Sequence, residues 1–518
     1  YCQKRLGAGL ADANERNKAL TQATDTFRQI SKDFPNSPAG MLGLLEKAKC
    51  KALLGDHGGA LNVLRAASQG DLKQNPVAPL ACLNAATILR LQNNPTEAAA
   101  VLLDARKRYE SALAGDAEKA AWVPLLKYHH GVALFEAGKP EEARPLFMEA
   151  SIAAKADPLA SEAGLRYGQC QIVEGKKAVE LGAKTRNEAG GKPELVARGN
   201  RQIAAGRETI QKAADTLVAR ADQYKNALPT ADGRARMYYE AAWANRWLAD
   251  EEVNKARDEL AKATPGQPIE RAKIPVQPAE TRAFAAYQKL IDEYPEAAVG
   301  VDARYELGEL RADRGEHADA VKLLKAALDA EPSDRAISPD LTERIRLRLG
   351  GSLYATGDFS GAASQFEAVA SNAKSPYFAQ ALYRAGESLA AAGENAKAAE
   401  KLAPFRDKGE LQNVGGISDR AVLRLGQAYL AAKNWEPARQ AFEICLQRYG
   451  NGTYAADARY GFGLALQNQG KFDEAVNQFN QVIAATKAEV AAKAQVQIGH
   501  CRYAQGKKAE AATAFQLA

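Results

Sequence analysis

The sequence is poor in the residues that usually build reactive centres. Its 518 residues include only five histidines, six cysteines and three methionines. The cysteines form no CxxC pair and show no metal-ligand spacing, and they do not indicate a redox compartment. His129 and His130 are adjacent on one expected helix, so they point apart and cannot bind one metal together. We therefore expect no catalytic residues, no bound metal and no cofactor.

Long apolar stretches and basic clusters are also missing. No apolar run approaches the roughly 18 residues needed to cross a bilayer, so no membrane span is expected in this chain. The 69 basic and 63 acidic residues give a net charge of only +6. No cluster of Lys and Arg is interleaved with aromatic residues, which argues against nucleic acid as a partner.

One pattern returns along the chain at a nearly fixed interval. A small residue, here called the anchor, is followed by glycine at position +7, alanine at +12 and an apolar residue at +16. The two clearest copies, 36 residues apart, are Gly463, Gly470, Ala475 and Phe479, and then Gly499, Gly506, Ala511 and Phe515. Further anchors are Gly131, Gly308, Gly350, Gly386 and Gly426, with weaker copies at Ala11, Ala48 and Ala86. A fixed period in the thirties predicts a stack of helical hairpins, and hence a binding surface.

Each landmark of the pattern has a packing explanation. Small residues at the anchor and at +12 allow two antiparallel helices to approach closely. The residue at +7 is glycine or asparagine in most copies, and it can adopt the left-handed backbone that ends the first helix. An Asp or Glu often follows it, where it favours the positive end of the second helix. The apolar residue at +16 is expected to fill the gap against the neighbouring repeat.

This pattern resembles the tetratricopeptide repeat over most of residues 1–155 and 283–518. The resemblance implies an all-α, right-handed superhelical solenoid of antiparallel helix pairs. We predict an N-terminal array over 1–155, an irregular segment over 156–282 and a C-terminal array over 283–518 that continues beyond Ala518. The irregular segment contains long helical patterns over about 194–226 and 230–263 and a proline-rich insertion over 264–280.

The role of the middle segment and the setting of its tryptophans each have alternatives. The segment could act as a hinge, a bend or a docking site. Trp243 and Trp247 share one helix face, and we interpret them as core residues rather than as an exposed anchor.

A row of aromatic residues is the candidate binding site. Three residues before the anchor stand Tyr128, Tyr305, Tyr383 and Tyr460, and next to this position in the sequence stand Arg304, Arg346 and Arg459. In tetratricopeptide arrays this tyrosine position tends to lie on the concave wall formed by the first helices. Tyr and Arg dominate binding hot spots, which favours a groove for an extended segment or a helix of a partner protein. The alternative is that the tyrosines seal one repeat against the next.

The form Ala-Arg-Tyr-x-x-Gly, with linkers such as 292–295 (Asp-Glu-Tyr-Pro), is similar to a narrower group. This group comprises bacterial envelope proteins of the Tol-Pal-associated cell-division coordinator type and related outer-membrane-assembly lipoproteins. The likeness implies a non-enzymatic, periplasmic scaffold that binds other proteins, among them envelope or membrane-complex subunits, and that could form homo-oligomers. It further suggests the periplasmic part of a Tol/Exb-like proton-channel machine.

Two other functions fit the same residues. One is a substrate-recruiting arm of a larger enzyme whose catalytic domain lies outside this chain, and the other is a cytoplasmic adaptor. The chain begins at Tyr1 rather than Met and stops at Ala518 within an expected helix, so we expect it to be a piece of a longer protein.

Overall fold

A computed structural model describes residues 12–154, 158–224, 231–264, 266, 268–330 and 337–518. The anchor expected at Ala11 lies outside these residues. Within them the chain forms α-helices and short 3₁₀ turns and no strand. The predicted all-α class is therefore confirmed.

The chain divides into two compact units. The first comprises Tyr1–Ile269 and Ile274–Gly300. Its described helices are α1 (Ala13–Asp33), α2 (Pro38–Leu53), α3 (His57–Ala67), α4 (Ala78–Leu91), α5 (Pro95–Ala114), α6 (Trp122–Glu136), α7 (Pro140–Ala153), α8 (Pro158–Asn187), α9 (Pro193–Gln223), α10 (Ala231–Ala263) and α11 (Pro278–Glu293). A 3₁₀ turn at Gly70–Gln74 lies between α3 and α4.

The second unit comprises Glu270–Lys273 and Val301–Ala518. Its helices are α12 (Gly300–Asp313, from its second residue on), α13 (His317–Asp329), α14 (Pro339–Ala355), α15 (Phe359–Ala370), α16 (Phe378–Ala391), α17 (Asn395–Asp407), α18 (Ser418–Ala431), α19 (Trp435–Tyr449), α20 (Ala455–Asn468), α21 (Phe472–Ala485), α22 (Glu489–Ala504) and α23 (Lys508–Gln516). Two 3₁₀ turns, Arg271–Lys273 and Gly409–Leu411, complete it. The three sequence segments with boundaries at 155 and 282 stay a prediction.

The anchor glycine makes room for the large residue at +16 of its own repeat. A Cβ built on Gly350 would lie 2.8 Å from the ring of Phe366, and one on Gly426 would lie 2.6 Å from Phe442. The +16 side chain therefore contacts its own anchor as well as the neighbouring repeat that the sequence suggested. The neighbour contact is clear at Phe442, where a Cβ on Gly461 of the next first helix would come within 2.4 Å.

The left-handed turn at +7 is confirmed for the anchors from Ala48 to Gly131 and from Gly308 to Gly499. The copy expected at Ala11 is wrong in this respect, because α1 continues through its +7 residue Lys18 as one helix. The φ of the turn residue is 85° at Gly357 and 60° at Lys433, where a lysine takes the place of glycine. The amide of Asp358 then donates to the carbonyl of Leu353 at 2.9 Å, a bond across six residues that caps the first helix. The Asp358 carboxylate accepts from the amide of Gly361 at 2.9 Å and so caps the start of the second helix, α15.

The middle segment contains the expected long helices, with one helix more than the sequence indicated. Helices α8, α9 and α10 have 30, 31 and 33 residues. The predicted ends near 226 and 230 lie outside the described residues. A Cβ on Gly175 of α8 would lie 2.6 Å from the carbonyl oxygen of Gly206 of α9, and Gly182 meets Gly199 in the same way. These two antiparallel helices thus touch backbone to backbone at glycines seven residues apart.

Adjacent glycines in α14 give a matched test of the packing rule. Gly350→Ala puts a methyl group against Phe366, and overpacking of this kind costs about 1–3 kcal/mol. Gly351→Ala meets no atom within 4 Å, and alanine stabilises a helix interior by roughly 0.5–1 kcal/mol relative to glycine. The urea midpoint of the full chain, followed by circular dichroism, should fall for the first variant and rise for the second. Shifts of the same sign would contradict the packing rule.

Candidate functional site

The predicted tyrosines Tyr305 and Tyr383 lie buried between first helices of consecutive repeats. Their exposed fractions are 7% and 3%. The Arg344 guanidinium lies 4.8 Å from the Tyr305 ring centroid and donates to its hydroxyl at 3.2 Å. Arg420 lies 5.4 Å from the Tyr383 ring. Both arginines stand six residues before the next anchor, so each tyrosine joins its own repeat to the next one.

The other two tyrosines lie half-buried on their own repeats. The ring of Tyr128 packs 5.8 Å from that of Phe147, and the ring of Tyr460 packs 5.7 Å from that of Phe479. Their partners are the residues at +16. All four tyrosines thus make packing contacts. Those of Tyr305 and Tyr383 join one repeat to the next, as the sealing alternative describes, and the part of all four in a groove stays a prediction.

The predicted arginines do not share the tyrosine row. Arg346 donates to the side chain of Gln365 at 3.0 Å, and Arg459 donates to that of Gln481. Both glutamines lie on the second helix of the same repeat, and Arg304 is half-buried on α12. Neighbouring helical residues project about 100° apart, since one turn takes 3.6 residues, so a Tyr and the Arg before it face different ways.

A different set of arginines meets on the first helices. They stand two residues before three consecutive anchors and are Arg348, Arg384 and Arg424. Arg384 lies 2.8 Å from the Glu387 carboxylate, and Arg424 lies 4.0 Å from it. The repeat register could have found these arginines, because the residue type recurs at one position. We name the surface that α14, α16 and α18 form around these side chains the first-helix wall.

The first-helix wall contains a pocket of about 260 Å³ between α14 and α16. It lies where position −3 is Leu347 rather than tyrosine and where Gly351 has no atom within 4 Å of a built Cβ. Its lining residues are His317, Leu347, Arg348, Gly351, Ser352, Tyr354, Phe366, Gln380 and Arg384. A missing ring and a missing side chain together open this space.

Two polar groups in the pocket have no hydrogen-bond partner among the residues that the structure describes. The Ser352 side chain is 1% exposed, and its hydroxyl has no hydrogen-bond partner among the described residues. The same holds for Nδ1 of His317. Arg348 lies 2.7 Å from the Glu309 carboxylate and also contacts Asp313. Buried polar groups are normally satisfied, so the Ser352 hydroxyl and Nδ1 of His317 can bind a water molecule or a polar group of a partner.

Family models match the part of the chain that carries this wall. A tetratricopeptide repeat model matches residues 419–488, and a second tetratricopeptide repeat model matches 281–335, 347–404 and 460–518. Residues 281–335, 347–404 and 419–518 therefore carry tetratricopeptide repeats. Such repeats typically form surfaces for protein–protein interaction.

Solved structures of other repeat proteins are similar to this chain at low identity. The crystal structure of MamA protein has 23% identity and a TM-score of 0.29, covering 34% of this chain and 88% of that one. A tetratricopeptide repeat protein from Parabacteroides merdae has 16% identity and a TM-score of 0.32, covering 51% and 91%. Yeast Tom70 has 12% identity and a TM-score of 0.31, covering 90% and 96%. No curated protein matches the chain.

Three of the cysteines are packing residues. Cys50, Cys170 and Cys501 are fully buried, as their alanine-like position predicts. Burial raises the pKa of Cys170 to about 12, so its thiol is protonated and unreactive at neutral pH. Among the described residues no three His, Cys, Asp or Glu side chains are grouped to hold a metal. No described helix is long and apolar enough to cross a membrane.

The core interpretation of the tryptophan pair is wrong for Trp243. Its side chain is 39% exposed, and the Lys176 ammonium lies 3.5 Å from its ring centroid. Trp247 is half-buried, with the same ammonium 5.2 Å away. A cation held over two indoles lets the rings stay at the surface, and sequence spacing alone could not show which face of α10 meets α8.

Replacing a buried tyrosine tests the sealing contacts. Tyr383→Ala removes a ring that is 3% exposed, and loss of such a ring costs about 3–5 kcal/mol. Tyr503→Ala is the matched control, because that ring is 64% exposed and surface changes stay within about 0.5 kcal/mol. The urea midpoint should fall sharply for the first variant only. Equal midpoints would mean that Tyr383 seals nothing.

The adjacent histidines should make stability depend on pH. Burial lowers the pKa of His129 and of His130 to about 4, and His130 Nδ1 lies 3.2 Å from Arg106. Unfolded histidine titrates near 6.5, so the unfolded chain binds more protons between pH 6.5 and 4. The contribution of the two neutral histidines to the free energy of unfolding is therefore full above pH 6.5. It falls as the pH drops towards 4 and stays lost below pH 4.

The double variant His129→Gln, His130→Gln measures this contribution. Urea midpoints of the parent and the variant are measured from pH 7.5 to 4. The midpoint should fall further in the parent than in the variant, because only the parent contains the two histidines, whereas the same carboxylates titrate in both. Parallel curves would contradict the lowered pKa values.

Proposed function

We propose that this chain is a non-enzymatic tetratricopeptide scaffold that holds partner proteins on its first-helix wall. The observation that carries the proposal is the pocket at Gly351. This space stays open, whereas in the repeats before and after it a buried tyrosine, Tyr305 or Tyr383, occupies the position three residues before the anchor. A space of this size takes one side chain of a partner or several waters, since one water occupies about 30 Å³. Around it stand Tyr354 and Arg384, residue types that are enriched in binding hot spots.

The wall combines fixed and exposed parts in the way a docking surface needs. Phe366 under the pocket is 3% exposed, so the floor is held by the repeat core. Gln380 and Arg384 at the rim are exposed. A rigid floor with free polar groups at its rim limits the entropy lost when a partner binds.

We further propose that the partners belong to a bacterial cell-envelope assembly on the periplasmic side. The sequence form Ala-Arg-Tyr-x-x-Gly and the linker at 292–295 support this, through their likeness to envelope proteins of the Tol-Pal-associated type. In its most specific form, the proposal makes the chain the periplasmic part of a Tol/Exb-like proton-channel machine.

A pair of glutamine-to-tryptophan variants tests the proposed wall. Gln380→Trp places a large ring at the rim of the pocket, and Gln440→Trp places the same ring on the exposed face of the second helix α19. The tagged native protein is purified from the detergent-solubilised envelope of its own organism, and retained proteins are identified by mass spectrometry. We expect envelope proteins with the parent and with Gln440→Trp, and their loss with Gln380→Trp.

Three results would contradict the proposal. Partners that Gln440→Trp releases and Gln380→Trp retains would place docking on the second helices. A native polypeptide with a catalytic domain and no stable partner would make the repeats an enzyme's recruiting arm. Recovery of the protein from the cytoplasmic fraction alone would favour the adaptor.

A further inference from the structure

We propose that the first-helix wall binds an extended acidic segment of the partner and that one Asp or Glu side chain of this segment enters the Gly351 pocket. This inference rests on the proposed function, because it names the chemistry of the partner at the same wall. Two independent observations carry it: an excess of arginine over carboxylate on α16 and α18, and unpartnered donors inside the pocket.

The arginine excess is centred on a single carboxylate. Helices α16 and α18 carry Arg384, Arg420 and Arg424 against two acids, Glu387 and Asp419. Glu387 is the acid that Arg384 and Arg424 contact, and it is only 11% exposed. It already accepts a hydrogen bond from the Tyr383 hydroxyl at 3.0 Å. The Arg384 and Arg424 side chains, in contrast, are 45% and 48% exposed. Arg424 also donates to the side chain of Gln427 at 2.9 Å. A guanidinium has five N–H donors, so one nearly buried carboxylate and one amide cannot satisfy two such half-exposed groups.

The pocket beside this cluster offers donors of the right kind. Ser352 has a buried hydroxyl without a hydrogen-bond partner among the described residues, and Gln380 and Arg384 supply further N–H groups at the rim. The acids that contact Arg348, Glu309 and Asp313, belong to α12 of the preceding repeat. A carboxylate entering between α14 and α16 would thus meet donors first, and charge-assisted hydrogen bonds are the stronger kind.

The contacts of Glu387 suggest the spacing of the acids. Arg384 at the rim of the pocket and Arg424 lie 2.8 and 4.0 Å from the same Glu387 carboxylate, and an extended chain advances roughly 3.3 Å per residue. A segment that crosses from the pocket towards Arg424 therefore covers the distance in about three residues. We expect two acidic residues at i and i+3, the first in the pocket and the second at Arg424.

Short labelled peptides test the inference directly. The probe is a fluorescein-labelled 12-residue Gly/Ser peptide with Glu at two positions three apart, compared with the same peptide carrying Gln or Lys there. Fluorescence anisotropy with the full chain at low salt should show the Glu peptide binding at least tenfold more tightly than the Gln peptide. The Lys peptide should bind most weakly.

Matched protein variants separate the pocket from general charge. Gly351→Leu fills the pocket on the exposed side of α14, where a Cβ meets no atom within 4 Å. Arg424→Gln removes one wall charge, and Lys397→Gln removes the same charge from the second helix α17, where its side chain is 68% exposed. The first two variants should each weaken binding of the Glu peptide about tenfold, and the third less than twofold.

The outcomes distinguish this inference from the proposed function. Equal binding of Glu and Gln peptides, or equal losses with Arg424→Gln and Lys397→Gln, would overturn the acidic segment. If Gln380→Trp still releases native partners in that case, the scaffold stands and only the partner's chemistry is wrong. If Gln380→Trp releases nothing either, both proposals fall.

Discussion

The contact on which the repeats depend is that between a small residue on the first helix and a large apolar residue sixteen positions later. At Gly386 a Cβ would come within 2.5 Å of Leu402, and at Gly463 within 2.5 Å of Phe479. Because the two helices meet at this point, the turn between them and the angle of the pair follow from it. The next repeat then covers the large side chain, so pairing within a repeat and stacking between repeats use the same residue. Phe515, at the same position near the end of the described chain, is 41% exposed.

Helices α8 and α9 reach close packing through a different pair of residue types. Their glycines oppose each other, with Gly175 against Gly206 and Gly182 against Gly199, so close approach comes from two small residues and not from a small and a large one. The two helices have 30 and 31 residues, so the glycine contact recurs along their length. The helical hairpin therefore continues in the middle segment although the pairing of a small with a large residue does not.

The repeat landmarks could be predicted because each joins residues less than twenty positions apart. The anchor, the left-handed turn and the residue at +16 all follow from spacing, and the fully buried Cys170 follows from its register with alanine. The burial of Tyr305 could not be predicted in this way, since it depends on Arg344 in the next repeat. The pocket could not be predicted from the sequence for a related reason. It results from Leu347 and Gly351, whose side chains have no polar or ionisable group that would mark a site. Recurrence identifies what repeats, whereas this site lies where the repeat pattern is interrupted.

The proposed function places partner binding on the first-helix wall and leaves packing to the tyrosines that the sequence suggested as binding residues. The most direct test is site-specific photocrosslinking in the living cell. A benzoylphenylalanine residue is placed at the exposed Ala391 and, in a second strain, at the exposed Gln440 on the second helix α19. Ala391 lies about three helical turns after Gln380 on the same face of α16, outside the pocket, so the crosslinker does not fill the space that the partner enters. A defined crosslinked protein is expected from Ala391 and none from Gln440. A crosslink from Gln440 alone, or equal crosslinking at both positions, would contradict the proposed function.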